Sequence, residues 1–258
     1  MEADGNGVIH TIAERKNYII RKSINLSKQS HILAANVDQA FLIATLAMPR
    51  TSPGFIDRFL LTAEAYHIPA TIFFNKTDLF ENDPGRMKEL DDFIAVYTAI
   101  GYPCYKISVM HKNDIDLLRK LSKDKITLVA GHSGVGKSTL VNAMDSNLEL
   151  RVGEISDAHS KGKHTTTFAE MHPLEYGGFI IDTTGIKELG LVDMEKEEIA
   201  DYFPEMRALK QECKFNNCLH MNEPKCAIIK AVEDGRIARS RYNTYLGIIN
   251  GEELQVTY

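Results

Sequence analysis

The residues most able to do chemistry form a glycine-rich run that ends in a lysine and two hydroxyl residues. The run fits the pattern G-x-x-x-x-G-K-[ST] and consists of Gly131, His132, Ser133, Gly134, Val135, Gly136, Lys137, Ser138 and Thr139. The strand-like stretch ITLVA precedes it and the helix-like stretch STLVNAM follows it, the context in which backbone N–H groups of such a loop hold phosphate. We expect Lys137 to reach the β- and γ-phosphates of a nucleotide, Ser138 to bind Mg²⁺, and His132 to face outward.

A second motif could read the base of that nucleotide. Asn75, Lys76, Thr77 and Asp78 follow the strand-like stretch PATIFF. A carboxylate accepts hydrogen bonds only, so Asp78 could pair with the ring N1–H and exocyclic amine of guanine, a pair of donors that adenine lacks. Lys76 would pack across the base, Asn75 would tie the loop together, and Ser108 could complete the site. The tetrapeptide alone is a weak signal, but together with the phosphate loop it predicts a GTP/GDP site.

Two further segments could reach the γ-phosphate. Asp182 and Gly185 form the pattern D-x-x-G after the strand-like stretch GGFII, so Asp182 would hold Mg²⁺ through water and the Gly185 N–H would touch the phosphate. Thr165, Thr166 and Thr167 lie between the phosphate loop and this motif, where a threonine must reach Mg²⁺ and phosphate. Which of the three does so stays open, and a solvated threonine cluster is the alternative.

The residue after D-x-x-G is Ile186, where many GTPases have a glutamine that orients the attacking water. Isoleucine cannot form that hydrogen bond, so the water must be positioned by another group, or hydrolysis is slow without help. His164, just before the threonines, is the candidate catalytic residue, since it could orient or deprotonate the water. The alternative is a solvent-exposed loop histidine.

Four residues near the C-terminus could bind a metal. Cys213, Cys218, His220 and Cys226 offer three sulfur ligands and one nitrogen within fourteen residues, a set that suits one structural Zn²⁺ ion with no open catalytic position. The segment is too short to build much core, so we expect the metal to hold it folded. Cys104, in the apolar stretch YPCYKIS, is predicted to be a core thiol.

The hydrophobic pattern changes along the chain. Two strand-like runs, GVIHTIAER and NYIIRKS, lie within residues 7–32. From Asn36 onward, short apolar strand patterns alternate with helical patterns, which indicates βαβ units and a mainly parallel sheet. Beyond about residue 193 the strand patterns stop, and the stretches EKEEIADYFPEMRALK, EPKCAIIKAVEDG and ARSRYNTYLGIINGEEL are predicted to be helical.

The order of the motifs rotates the usual GTPase order, which starts at the phosphate loop and ends with the base reader. The sequence thus resembles a circularly permuted GTPase, and in particular the bacterial ribosome small-subunit-dependent GTPase A (RsgA) family. The shared motifs are A-N-V-D-Q at 35–39, G-H-S-G-V-G-K-S-T, G-K-H-T-T-T at 162–167, D-T-T-G, and C-x4-C-x-H-x5-C at 213–226. The resemblance covers nearly the whole chain from about residue 8.

This resemblance implies an α/β fold with three parts. Residues 1–33 would be the remnant of an OB-type β-barrel, since only its last two strands could fit before the next part. Residues 34–193 would form the circularly permuted P-loop GTPase domain with a mainly parallel sheet, and residues 194–258 a small helical zinc-binding domain. The family binds the small ribosomal subunit and its rRNA, acts late in subunit maturation, and hydrolyses GTP in response to the ribosome.

The uneven charge distribution means that a nucleic-acid partner would have to be met by the ends of the chain; ordinary variation of surface charge is the alternative. The 258 residues carry a net charge of −5, but residues 1–32 have five lysines and arginines against three acids, and residues 210–245 have seven against four. No apolar stretch is long enough to cross a membrane and no secretory signal is present, so we expect a cytoplasmic protein. We separately expect it to be a monomer. The expected basic surface with stacking rings consists of Arg15, Lys16, Arg21, Lys22, Lys230, Arg236, Arg239, Arg241, Tyr242 and Tyr245.

The sequence leaves two alternatives to a ribosome-activated GTPase. In a nucleotide-gated RNA- or ribosome-binding module, GTP occupancy would control docking and hydrolysis would only reset it. A metabolic P-loop kinase is disfavoured, because the N-K-T-D motif would have no role in it.

Overall fold

A six-stranded sheet lies at the centre of this computed structural model, which describes residues 10–21, 31–148, 150, 170–182 and 194–251. The strands are β1 (Tyr18–Arg21), β2 (His31–Ala35), β3 (Gln39–Ala44), β4 (Ala70–Phe74), β5 (Cys104–Lys106), β6 (Ile126–Ala130), β7 (Glu170–Pro173) and β8 (Phe179–Asp182). Strands β1 and β2 form a separate antiparallel pair. The large sheet has the order β5-β4-β3-β6-β8-β7 and is parallel except for β7, which confirms the predicted α/β class.

The α-helices are α1 (Pro53–Ala65), α2 (Pro84–Thr98), α3 (Lys112–Ser122), α4 (Lys137–Met144), α5 (Pro204–Arg207), α6 (Ala227–Glu233) and α7 (Arg239–Ile249). The first two begin at clear sequence signals. Ser52 accepts a hydrogen bond from the Phe55 N–H at 3.3 Å and Asp83 one from the Arg86 N–H at 3.1 Å. Each cap is followed by a proline in the first helical turn, where its missing N–H costs nothing.

Alternating residues of the strands send side chains into two separate cores on opposite faces of the sheet. Leu42 and Leu128 pack with residues of α1 and α2 on one face, whereas Phe41 and Val129 pack with residues of α3 and α4 on the other. Because both faces are covered, β3 is buried along its whole length and β4 and β6 at all but one residue each. The loops after their carboxyl ends are therefore held on a rigid base.

The C-terminal region has its own apolar core, to which the metal-ligand segment 213–226 contributes Cys218 and Cys226 as buried members. Phe203, Met206, Ile228 and Tyr245 are fully buried there, and Leu61 of α1 joins them. The predicted helix across 195–210 is wrong in detail. It is broken into a 3₁₀ turn at Ile199–Tyr202, the four-residue α5 and a further 3₁₀ turn, because a proline inside a helix lacks the N–H that the preceding turn needs.

The strand predicted for GVIHTIAER does not form over residues 10–15, which have no regular secondary structure. Among the described residues, no helix is long and apolar enough to span a bilayer.

Candidate nucleotide and metal sites

The phosphate loop lies between β6 and α4, at the carboxyl end of a central strand. Its glycines are required by the packing. A side chain at Gly131 would place its Cβ 2.4 Å from the Ile43 carbonyl oxygen, and φ is +151° there. Within the loop Ser133 and Gly134 are exposed, as is Thr139 in the first turn of α4, whereas Val135 is fully buried. The buried valine anchors the loop, while its neighbours Ser133 and Gly134 remain open to solvent.

Lys137 is held over its own loop. Its ammonium donates hydrogen bonds to the carbonyl oxygens of Gly131 and His132 at 2.8 and 2.9 Å. Burial lowers the pKa of Lys137, and the nearby Asp182 carboxylate opposes that shift. The lysine charge and the Asp182 carboxylate are thus close enough to interact electrostatically, as expected of two groups that serve one Mg²⁺–phosphate position.

The N-K-T-D loop is bound directly to the phosphate loop. The Asn75 side-chain amide donates to the Val135 carbonyl oxygen at 2.8 Å, and Asn75 is 3% exposed. A Cβ at Gly136 would lie 2.5 Å from the Asn75 amide nitrogen, so the contact requires glycine at that position. The two motifs are sixty residues apart in the chain and form one continuous structure.

Lys76 makes a second connection between the same loops. Its ammonium donates to the carbonyl oxygens of Met48 at 2.5 Å and Gly134 at 2.7 Å, and its backbone has a left-handed φ of +64°. Burial lowers the pKa of Lys76, and the Asp78 carboxylate opposes that shift. The lysine stem therefore lies between the phosphate loop and Asp78, where a base would be covered.

Asp78 is oriented by Ser108. The Ser108 hydroxyl donates to Asp78 Oδ1 at 2.6 Å and accepts from the Met110 N–H at 3.0 Å. Thr77 is attached to the same segment directly after β5, because its hydroxyl donates to the Ile107 carbonyl oxygen at 3.1 Å. Ser108 occupies one of the roughly four lone-pair positions of the carboxylate, and the remaining positions on the two oxygens can accept a pair of base donors.

Only part of the predicted γ-phosphate side is described. Asp182 ends β8 and pairs in register with Val129 of β6, which places it beside the strand that leads into the phosphate loop. Ser138 lies in the first turn of α4. A hydroxyl and a carboxylate at these positions are the oxygen ligands that Mg²⁺ prefers. His164, Thr165, Thr166, Thr167 and Gly185 lie outside the described residues.

The expectation that His132 faces outward is wrong. Its ring stacks on Phe55 at the start of α1, with ring centroids 3.6 Å apart and planes inclined by 29°. Phe55 is 5% exposed, so the histidine covers an otherwise exposed aromatic face. The contact joins residues 77 positions apart in the chain, which a local pattern cannot reveal.

The four predicted metal ligands come together. The ligand atoms of Cys213, Cys218, His220 and Cys226 all lie within 4.8 Å of one another. His220 Nδ1 is 3.6 Å from Cys213 Sγ and 3.3 Å from Cys226 Sγ, and these two sulfurs are 3.9 Å apart. A tetrahedral zinc ion has ligand-to-ligand distances of roughly 3.5–3.8 Å, so the donor set and its spacing fit Zn²⁺.

The loop that carries the ligands is fixed by a residue that the sequence analysis missed. Glu223 accepts hydrogen bonds from the N–H groups of Leu219, Met221 and Asn222 at 2.7–3.0 Å. A glutamate just before a proline, in a short loop between ligands, was the available signal. Cys104 is not part of the cluster. It packs against the sheet core as expected, and burial raises its pKa to about 11.

Replacing Cys226 with alanine is expected to remove the metal and loosen residues 205–251. The purified wild-type chain should carry about one zinc per molecule, since three thiolates and one imidazole form a complete site. Metal analysis and limited proteolysis of wild type, Cys226→Ala and the control Cys104→Ala check this. Equal protease resistance of wild type and Cys226→Ala across this region would contradict a structural role for the metal.

Three residues of the predicted RNA surface are in the interior instead. Arg241, Tyr242 and Tyr245 are 1%, 6% and 0% exposed. Arg241 pairs with the carboxylates of Asp57 and Glu205, so its charge is already neutralised. These three side chains are structural and do not reach a partner.

Comparison with known proteins gives a consistent result. A family model described as RsgA GTPase matches residues 12–192. A relative from Bacteroides fragilis, named small ribosomal subunit biogenesis GTPase RsgA, is 52% identical over 253 residues, which are 98% of this chain and 81% of the relative.

Two solved structures are also similar. YjeQ from Thermotoga maritima has 35% sequence identity and a TM-score of 0.78, with 96% of this chain and 79% of that chain covered. YloQ, described as a circularly permuted GTPase, has 32% identity and a TM-score of 0.76, with 98% and 77% covered. The fold, the order of the motifs and these similarities agree. The chain therefore belongs to the RsgA GTPase family.

Proposed function

We propose that the chain binds GTP and GDP with Mg²⁺ across the phosphate loop and the N-K-T-D loop, and hydrolyses GTP in the maturation of the small ribosomal subunit. The main observation behind the proposal is that the two loops are hydrogen-bonded directly to each other. Asn75 bonds to Val135 at 2.8 Å and Lys76 bonds to Gly134 at 2.7 Å. A base reader attached to a phosphate loop serves a guanine nucleotide, and it has no use in a metabolic kinase.

The roles of the individual residues follow from their positions. Lys137 would exchange its two carbonyl partners for the β- and γ-phosphate oxygens, and Ser138 and Asp182 would hold Mg²⁺, directly and through water. The metal, when bound, neutralises charge that develops on the phosphates. Asp78, oriented by Ser108, would select guanine.

The water-activating group is proposed to be His164. Ile186 cannot orient water, so the site has no glutamine at the usual position. His164 would hydrogen-bond to the attacking water and could accept its proton, and one of Thr165, Thr166 and Thr167 would complete the Mg²⁺ shell. Gly185 would contact the γ-phosphate through its N–H.

The proposed partner is the small ribosomal subunit with its rRNA, as the names of the relatives suggest for those proteins. Basic residues that are exposed on this chain and could meet phosphate are Arg15, Lys16, Lys230, Arg236 and Arg239. Their contribution would be electrostatic and salt-dependent. A cytoplasmic monomer is part of the same proposal.

The proposed organisation has a nucleotide part at 34–193, a metal part at 194–258 and an OB-type β segment at 1–33. The separate C-terminal core supports the division at 193, whereas strand β2 runs across the boundary at 33 and the β1–β2 pair adds Ile19 and Ala34 to the core of the large sheet. The second candidate function, a nucleotide-gated binding module, is favoured by one residue. Because Ile186 implies slow hydrolysis, GTP occupancy could itself control docking.

Co-sedimentation with small ribosomal subunits tests the proposed partner. We expect more of the chain in the pellet with a non-hydrolysable GTP analogue than with GDP. Coupling between two binding sites is reciprocal, so if subunit binding favours the GTP-bound arrangement, GTP must strengthen subunit binding by the same factor. Large subunits and an adenine analogue are the controls. Equal recovery with both guanine nucleotides, or with large subunits, would contradict the proposal.

A further inference from the structure

Helix α1 contacts the phosphate loop at its first turn. Phe55 stacks on His132 with ring centroids 3.6 Å apart. The backbone carbonyl of His132 is one of the two acceptors of the Lys137 ammonium, at 2.9 Å. The ring and the carbonyl belong to the same residue. By holding His132 in place, the stack on α1 therefore also positions one acceptor of the Lys137 ammonium.

The same helix is held from the C-terminal region by a buried group of charges. Asp57 is 0% exposed, and its Oδ1 accepts from Arg241 Nη1 at 2.8 Å and from the Tyr97 hydroxyl at 3.1 Å. The Glu205 carboxylate accepts two hydrogen bonds from the other edge of the guanidinium. Arg241 Nε donates to Oε1 at 2.8 Å and Nη2 donates to Oε2 at 3.1 Å. The Arg241 guanidinium also lies over the Phe203 ring, 4.6 Å from its centroid.

Such a group resists displacement. A buried charge that loses its partner stays without solvent or counter-charge, which is strongly unfavourable, and a forked guanidinium fits two carboxylates in one geometry only. Burial raises the pKa of Asp57, and Arg241 opposes this shift. Burial also works to lower the pKa of Arg241, but the two carboxylates raise it overall, so the arginine stays charged.

Helix α7, which carries Arg241, also holds the loop of the metal ligands. The Tyr242 hydroxyl donates to the carbonyl oxygen of His220 at 2.6 Å, and the Tyr245 hydroxyl donates to that of Leu219 at 2.8 Å. A continuous series of contacts thus runs from the phosphate loop through α1 and α7 to the cysteine–histidine cluster.

We propose that Phe55 and Arg241 are positioning residues of the nucleotide site, through which the C-terminal region sets the affinity of the phosphate loop for GDP and GTP. Phe55 acts directly on His132, and Arg241 acts by fixing Asp57, two residues after Phe55 in α1. This inference rests on the proposed nucleotide site, whose own test is GDP binding by the wild-type chain.

The test is GDP affinity, measured with a fluorescent GDP analogue on the full chain. Phe55→Leu removes the ring but keeps apolar volume, and we expect it to weaken binding about threefold to tenfold, as for the loss of an aromatic pair. Phe55→Tyr keeps the ring and should retain wild-type affinity. Arg241→Lys keeps the charge without the forked geometry, and a similar loss is expected even though the residue belongs to α7.

A double variant separates a common role from two independent ones. If both residues act through α1, Phe55→Leu combined with Arg241→Lys weakens binding by less than the product of the two single effects. Asn243→Lys, at an exposed position of α7, is the matched control for Arg241→Lys and should bind GDP as wild type does. Wild-type affinity of a folded Arg241→Lys chain, or fully multiplicative effects, would overturn the proposal.

Hydrogen exchange on the wild-type chain provides a second measurement that needs no variant. GDP should slow backbone amide exchange in α1 and α7 more than in residues 84–91, the first half of α2, which take no part in this series of contacts. If GDP protects the phosphate loop while α7 changes no more than residues 84–91 do, the proposal is wrong. Failure of wild-type GDP binding would instead refute the nucleotide site itself.

Discussion

Replacing Asp78 with asparagine is expected to abolish GTP binding and to create binding of xanthosine triphosphate. One carboxylate oxygen accepts from the Ser108 hydroxyl at 2.6 Å, which orients the carboxylate and leaves lone pairs on its two oxygens for the N1–H and amine of guanine. The NH₂ group of an asparagine would face the exocyclic amine of guanine, so two donors would oppose each other. Xanthine has a carbonyl in place of that amine and can accept a hydrogen bond from the asparagine. Sites built on such hydrogen bonds reject the wrong partner by up to ~10⁴-fold.

Nucleotide titrations with GTP, ATP and xanthosine triphosphate check this result. Asp116→Asn, an exposed carboxylate on α3, is the control and should keep the wild-type preference for GTP over ATP. An Asp78→Asn chain that still binds GTP as tightly as wild type would show that Asp78 does not read the base.

Replacing His164 with alanine is expected to lower the ribosome-stimulated rate of GTP hydrolysis by about 10²–10⁴-fold, the usual contribution of a positioned general base. GTP binding should stay nearly unchanged, because the phosphate and base loops are intact. The exposed His10 gives the control variant His10→Ala. A stimulated rate that survives in His164→Ala would remove this residue from the mechanism and leave the nucleotide site as proposed.

The sheet and the two nucleotide loops could be predicted because their signals are local. Each loop directly follows a short apolar strand, and parallel strands bring their carboxyl ends to one edge of the sheet. The sequence therefore indicated that Asp78 and Lys137 would meet. It could not indicate which atoms join the loops, such as the Asn75 amide and the Val135 carbonyl, since these depend on backbone positions within the turns.

The C-terminal region shows where the local pattern is insufficient. Arg241 lies among polar residues in α7 and has the pattern of an exposed basic helix, yet it is buried against Asp57, 184 residues earlier in the chain. A charged residue is buried only when distant partners neutralise it, and no local pattern reveals those partners. The stack of His132 on Phe55 was missed for the same reason.

The most direct test of the central claim is GTP turnover by the wild-type chain with and without small ribosomal subunits. Because Ile186 cannot orient water, the isolated chain should turn over on the order of 10⁻⁴–10⁻² s⁻¹, as unassisted GTPases do. Small subunits should raise the rate about 10²-fold or more by bringing His164 or a ribosomal group to the water. Fast turnover by the isolated chain, unchanged by small subunits, would contradict the account.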